Sequence, residues 1–467
     1  MTPACFCRWT RLRGTAAGRS GRSLLGLLAA LALLSAACAR PSPPGARRWT
    51  APGLAAGIGR APARPAQGHE IAPGSDLQAA VDAAPAGATL CLAPGEYAGP
   101  LRISRPLTLW GPRAAVLRTA GQGHTIDVEA TDVHLLGFSI RGSGMRFEQT
   151  DAALRLHGED LSAEGLFIAE ALFGISVERS RSVRIAGNEI QGTPAAERGL
   201  RGDAIRFWEV KDSLIEDNLV TGSRDIVIWY SPGNAMLGNR VEDGRYGTHF
   251  MYSHGNAVRG NVYLGNTVGI FLMYSNDVAV TGNLIAAADR AGGMGIGLKE
   301  VGNAAVEGNR LVRNPTGIFI DTSPIQRDHH NRFRGNALEF CDVGIAFHSS
   351  EARSCFTDNN LRGCAIAVLV DGGGNALQVN WAGNYFDEYS GYDLDGNGAG
   401  DVPHEPRRLS QQLTSSHEQL HFFRGTPAVG LLDVVSRVFP VLAPKALLRD
   451  DNPRMRALPA PEVSRAH

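Results

Sequence analysis

From residue 174 onward the chain alternates apolar and polar positions in runs of four or five residues, each too short for an amphipathic helix. The runs GISV (174), DIVI (225), GTHF (247), GIFL (269), GIGL (295), GIFI (317) and GIAF (344) all open on Gly or Asp. Gly-Asn or Asp-Asn phrases recur between them, with asparagines at 188, 218, 239, 261, 283, 309, 336, 360 and 384. The steps are 30, 21, 22, 22, 26, 27, 24 and 24 residues. A period in the low twenties, built of short strands and turn residues, marks a solenoid. Helical repeats need longer units of helical periodicity, and a leucine-rich frame is absent. The pattern predicts an all-β fold, a right-handed parallel β-helix of about a dozen coils with the asparagines stacked at one corner.

Its two ends are legible as well. Residues 74–112 open with a short helix, Ser75 or Asp76 at its N-cap, which shields the open edge of the first coil. Residues 424–444 form a second helix with Thr426 as N-cap, Pro427 at its first position and an end near Pro440. Val429, Leu432, Val435 and Phe439 share one face of it, with Asp433 and Arg437 paired on the other. That face docks, on its own solenoid or on a partner. The β-helix spans 73–405 and the tail 406–467.

Alternation also fixes which side chains leave the core. With Thr248, Phe250, Ile270 and Leu272 inside, one outward column reads Trp208, Trp229, Met251, Met273, Lys299, Asp321 and His348. Its neighbour reads Arg206, Val227, His249, Phe271, Gly297, Phe319 and Ala346. Two Trp and two Met at about 4.8 Å spacing are unusual on a solvated β-helix face. Three explanations stand open: a loop or the C-terminal tail covers the stripe, another protein docks on it, or it holds a metal. His249, Met251 and Met273 are the metal candidates, since imidazole with thioethers suits copper, Cu(I) in particular. Trp208, Trp229 and Phe271, with Leu432 and Phe439 of the tail helix, are the candidate partner-binding residues.

Composition narrows the picture. Lys+Arg and Asp+Glu number 46 each, which excludes a nucleic-acid partner held by bulk charge. The 56 glycines fit a fold of many turns. Arginines at 8, 11, 13, 19 and 22 precede the apolar stretch LLGLLAALALLSAA (24–37), so residues 1–37 read as an export signal. Cys38 follows, and either it is lipidated, anchoring the protein in a membrane, or the signal is simply cleaved. Residues 38–72, rich in Pro, Ala, Gly and Arg, read as a tether. Cys91 sits in an alternating strand as a small buried hydrophobe, while Cys341 and Cys364 are placed to stack or bridge. In GYDLDGNGAGD, Asp393, Asp395, Asn397 and Asp401 occupy positions 1, 3, 5 and 9 of a calcium-loop pattern. Position 12 is His404 rather than Glu, so a weak calcium loop and a metal-free Asx-turn cluster are both open.

The β-helix opening, the tandem HFMYS and FLMYS coils, GYDLDGNGAGD and TPAVGLLDVVSRVFPVL together resemble the NosD family of nitrous oxide reductase maturation proteins. The resemblance covers nearly all of the mature chain. It implies a periplasmic, non-enzymatic accessory factor for assembly of the reductase's copper–sulfide site. It further implies an ABC transporter of the NosF/NosY type, nitrous oxide reductase and a copper chaperone as partners. The contrasting expectation is a polysaccharide-active β-helix enzyme, a lyase, hydrolase or epimerase. Such an enzyme needs outward acidic pairs or bases on adjacent coils, where the sequence places Trp and Met.

Overall fold

A computed structural model describes residues 62–462 except 120, 195–196, 290–291, 349–352, 417, 424–425 and 440–443. The signal segment 1–37 and Cys38 therefore lie outside the described residues. Each turn of chain adds one strand to each of three parallel sheets, of 14, 12 and 13 strands. Inward positions repeat in register: Phe207, Ile228, Phe250, Leu272, Leu298 and Ile320 form one fully buried column of the 12-stranded sheet. Burying such a side chain contributes roughly 1.5–3 kcal/mol, so every turn adds its own share of core.

The asparagine ladder is present at one corner. Asn239 Oδ1 accepts from Asn218 N and Nδ2 at 3.1 and 2.9 Å, and its own Nδ2 donates to Ile215 O at 2.8 Å. The pattern repeats from Asn188 to Asn336, then passes to Asn359 and Asn384. Asn360 is thus not the ladder residue that the spacing suggested. The bend is taken by Asp358 at φ 55°, so the side chain that turns inward belongs to the next residue, Asn359. Asn360 instead exchanges hydrogen bonds with the backbone of Leu458.

The solenoid starts earlier than the tether boundary at 72: His69–Ile71 is already a strand, paired in parallel with Ala88–Leu92. The helix Leu77–Ala83 follows, with Asp76 rather than Ser75 as its cap; Asp76 Oδ1 accepts the N–H of Ala79 at 3.0 Å. The other end is closed by chain from the tail. Leu448 joins the core, and Asp450 Oδ2 accepts from both N and Nδ2 of Asn384, at 3.0 and 2.9 Å. A carboxylate therefore ends the amide ladder, because the last asparagine has donors and no further turn to receive them.

The tail carries helices Leu409–Ser416 and Pro427–Val438, the second starting at Thr426 and Pro427 as its sequence predicts. Thr426 makes no side-chain cap; its Oγ1 donates back to Phe423 O at 2.7 Å. Asp433 accepts from Ser410 N at 2.8 Å, tying the two helices, while the Arg437 side chain lies outside what is described. Leu432 and Phe439 are exposed, together with Leu431 and Val434. The helix leaves an apolar surface open.

Candidate functional site

The recurring Trp/Met-Tyr-Ser phrase divides three tasks among three residues. Trp229, Met251 and Met273 pair across adjacent strands in one outward column, below Trp208. Tyr230, Tyr252 and Tyr274 take the bend at φ 51°, 50° and 52°. Non-glycine residues rarely adopt that conformation, and here their rings stack, 5.4 and 4.8 Å between centroids. The serines turn inward: Ser253 Oγ accepts from Ser231 N at 3.0 Å and donates to Ile228 O at 2.9 Å.

His249 leaves the sheet on the outward side yet is 4% exposed. The rings of Trp229, Tyr246 and Phe271 surround its imidazole at 5.7, 5.0 and 6.2 Å between centroids. Its Nε2 lies 3.3 Å from Met273 Sδ. Its Nδ1 has no hydrogen-bond partner and stands 3.8 Å from Asp225 Oδ2. Met251 is the register neighbour of Met273, and both are half-buried.

Among the described residues, members of the stripe pack on one another. Trp208 and Trp229 meet edge to face at 6.0 Å, Tyr230 packs on Trp208 at 5.2 Å, and Arg206 lies over both indoles. The tail helix Leu409–Ser416 meets the last strand of this sheet, through Gln411 to Val368 O. Trp229 Nε1 is buried without a partner.

Alternation alone missed a third outward column. An extra residue at Gly247 breaks the register between Asp225/Val227 and Tyr246/His249, so the residue before the glycine also turns outward. Tyr246, Val268 and Met294 occupy that column. A Cβ at Gly297 would stand 2.8 Å from Met294 Sδ and 2.8 Å from Phe271 Cδ2, so that glycine is the notch both side chains fill. The signal in the sequence is the residue preceding each Gly of the repeated run.

The outward columns read from the sequence did not include one acidic pair, which is buried on successive turns. Asp203 lies two residues before the strand Ile205–Trp208 and Asp225 opens the next, Asp225–Trp229, each wholly buried at its side chain. Arg224 grips Asp203 at 2.7 and 2.8 Å, and Arg245 grips Asp225, Nε to Oδ1 at 3.0 Å. Burial, reinforced by Asp225 nearby, raises the Asp203 pKa to about 6 despite Arg224. Burial opposes ionisation of Asp225 too, but His249 and Arg245 hold it below the usual carboxylate range. Such divergence occurs in acid–base pairs. These two carboxylates are sealed behind their arginines, with no surface offered to a polymer.

The calcium-pattern residues do come together: one oxygen from each of Asp393, Asp395 and Asp401 lies within 4.8 Å of the others. Their oxygens serve backbone N–H groups. Asp393 accepts from Gly396, Asn397 and Gly398 at 2.8, 3.1 and 2.9 Å, and Asp401 from Leu394 at 2.6 Å. Asp395 Oδ2 accepts from the Asn397 amide at 2.8 Å. His404 joins Asp450 through its backbone and packs on Phe386, so no twelfth ligand closes the loop. These hydrogen bonds have the pattern of Asx turns.

Fold and face together define a parallel β-solenoid whose outward sheet gathers imidazole, thioether and indole groups from adjacent turns. Comparison with known proteins narrows this class. The profile of the family described as "Periplasmic copper-binding protein (NosD)" matches residues 186–391. A "Probable ABC transporter binding protein NosD" of Pseudomonas aeruginosa is 31% identical over 404 residues, 79% of this chain and 89% of that protein. One of the same description from Stutzerimonas stutzeri is 28% identical, covering 78% and 85%. The chain belongs to the NosD family. Among solved structures, the Yersinia enterocolitica family 28 exopolygalacturonase aligns with TM-score 0.47 and 10% identity, over 69% of this chain and 79% of that one. The alginate lyase AlyF-OU02 aligns at 0.46 and 14%, over 71% and 90%.

Proposed function

We propose that this protein is a periplasmic accessory factor that works with an ABC transporter in assembling the copper site of nitrous oxide reductase. In this reading Cu(I) is cargo, taken up by His249 and Met273 with Met251 from the turn beside them. The observation that carries it is the buried imidazole of His249, Nε2 aimed at a thioether 3.3 Å away and Nδ1 unpartnered. A buried imidazole without strong hydrogen bonds is costly, and a thioether is a feeble acceptor. Both are soft donors suited to Cu(I). The Asp225 carboxylate behind the ring supplies compensating charge and orients the imidazole, while the aromatic rings exclude water.

Partner contacts follow from the same surfaces. The exposed apolar face of Pro427–Val438 and Phe439 suits an apolar groove on the membrane subunit of a NosF/NosY-type transporter. The Trp208–Trp229 stripe with its tyrosine stack suits a protein handing copper on or receiving it, whether a chaperone or the reductase. Lipidation of Cys38 keeps the factor at the membrane. The protein acts by binding and transfer, without a catalytic step of its own.

Titrating the purified mature protein anaerobically with Cu(I), against a competing chelator, tests this reading. One equivalent retained by the natural protein and lost in His249→Ala is the expected result. Equal retention by both proteins sinks the assignment.

A further inference from the structure

After several strands of the 13-stranded sheet the corner consists of a residue of positive φ and then a residue whose side chain turns inward. Gly265–Asn266 and Arg313–Asn314 are such pairs, with φ of 62° and 54° at the first member. The asparagine there satisfies two buried backbone groups. Asn314 Oδ1 accepts from Ala288 N at 2.9 Å, and its Nδ2 donates to Ile285 O at 3.1 Å. In the next two turns Cys341 and Cys364 stand in that place, after Phe340 (φ 57°) and Gly363 (φ 64°). Their sulfurs point at Leu311 O and Leu338 O, 3.9 and 3.6 Å away, the carbonyls equivalent to that of Ile285.

A thiol is a weak substitute for an amide. The strong hydrogen bonds of an asparagine are thus replaced by weak ones, twice in succession, and the outcome is two sulfurs on adjacent turns. Ala365 N donates to Cys341 O at 3.1 Å, so backbone pairing holds the two corners together. Adjacent strands lie about 4.8 Å apart, inside the Cα separation of about 4.4–6.8 Å that a disulfide spans. The two thiols differ in access. Cys341 is buried and Cys364 half-buried. The Phe340 ring rests on Gly363, where a Cβ would stand 2.6 Å from Cδ1, and is itself 53% exposed.

We propose that Cys341 and Cys364 are a dithiol modification site that closes to an inter-turn disulfide by exchange with a disulfide-bearing partner. Cys364 is the attacking thiol. It is the more accessible of the two sulfurs, and the neighbouring Cys341 thiol and backbone N–H hold it below the usual thiol pKa against burial. The same thiol contact, with burial, pushes Cys341 up. The Cys364 thiolate attacks one sulfur of the partner disulfide, that S–S bond breaks, and the departing thiolate takes up a proton. Cys341 then loses its proton and attacks Cys364, releasing the second partner thiol. Two electrons pass to the partner disulfide, which ends as two thiols. Cys355 lies on a strand of the 14-stranded sheet, next to Asn380, and stays outside the exchange.

The test treats the reduced, natively folded protein with oxidised glutathione, alkylates the remaining thiols, and maps peptides by mass spectrometry. Expected is a Cys341–Cys364 cross-link with Cys355 alkylated, and a melting temperature that rises on oxidation and falls back on reduction. Cys341→Ser should leave glutathione attached at Cys364, whereas Cys364→Ser should leave Cys341 unmodified. Free, alkylated Cys341 and Cys364 after oxidation, or a cross-link through Cys355, overturns the proposal.

Discussion

At the scale of single residues, the Met-Tyr-Ser phrase is a junction between an outward strand end, a left-handed bend and an inward hydroxyl. Each position fails differently when changed. Ser253→Ala removes the acceptor of Ser231 N, a buried loss of about 1–3 kcal/mol, read as a lower urea midpoint with copper binding intact. Met251→Ala with Met273→Ala opens no core cavity, because Phe250 and Leu272 occupy the inward positions. Unchanged circular dichroism and melting, with loss of Cu(I) retention and of reductase maturation in cells, is the expected outcome. His249→Ala separates two causes: losing a ligand weakens copper binding, while losing a docking contact weakens partner binding alone.

Asp203 gives a residue-scale prediction about pH. Its folded pKa of about 6 lies above its ordinary 3.8, so the folded state holds the extra proton between those values. That contribution to stability is complete below the ordinary value and is lost as pH rises through about 6. Asp225 shifts the opposite way, and its contribution disappears only as pH falls below the usual carboxylate range. Chemical denaturation of Asp203→Asn at several pH values should therefore show a flatter dependence across the Asp203 window than the natural protein does.

At the scale of elements, the ladder and the tail helix illustrate opposite kinds of surface. Asp450 receives two donors of the last ladder asparagine and one of Gly383. Asp450→Ala leaves them buried and unpaired, at a cost of about 2 kcal/mol or more. Hydrogen exchange should show the final turns opening before the middle ones. In the helix Pro427–Val438 and at its C-cap, Leu432 and Phe439 are exposed. Leu432→Ser with Phe439→Ser should change stability by no more than about 0.5 kcal/mol per site, yet weaken co-purification with the transporter. Unaltered co-purification would remove this helix from the docking surface.

At the scale of the whole molecule, each described turn of the solenoid contacts mainly its neighbours, and the proposed site occupies one sheet face. No helix among the described residues is long and apolar enough to cross a membrane. The sealed Asp203 and Asp225 pair leads to the expectation of no product release from uronate polymers. Turnover abolished by Asp225→Asn with the fold intact would restore the enzyme alternative.

The repeat made the solenoid, the inward columns and the outward Trp, Met and His series legible, because strand alternation and turn chemistry are local rules that neighbouring residues enforce. The helices Leu77–Ala83 and Pro427–Val438 were legible for the same reason. Which asparagine joins the ladder near residue 360 depended on where the left-handed bend falls, one residue earlier than spacing implied. That Tyr246 and Met294 share the face of His249 depended on a glycine bulge, which breaks the alternation on which the sequence argument rests. Burial of His249 came from rings on three different strands closing over it. Closure of the ladder by Asp450 came from a segment 66 residues beyond Asn384. Contacts between distant parts of a chain follow from packing the whole coil, and no local periodicity encodes them.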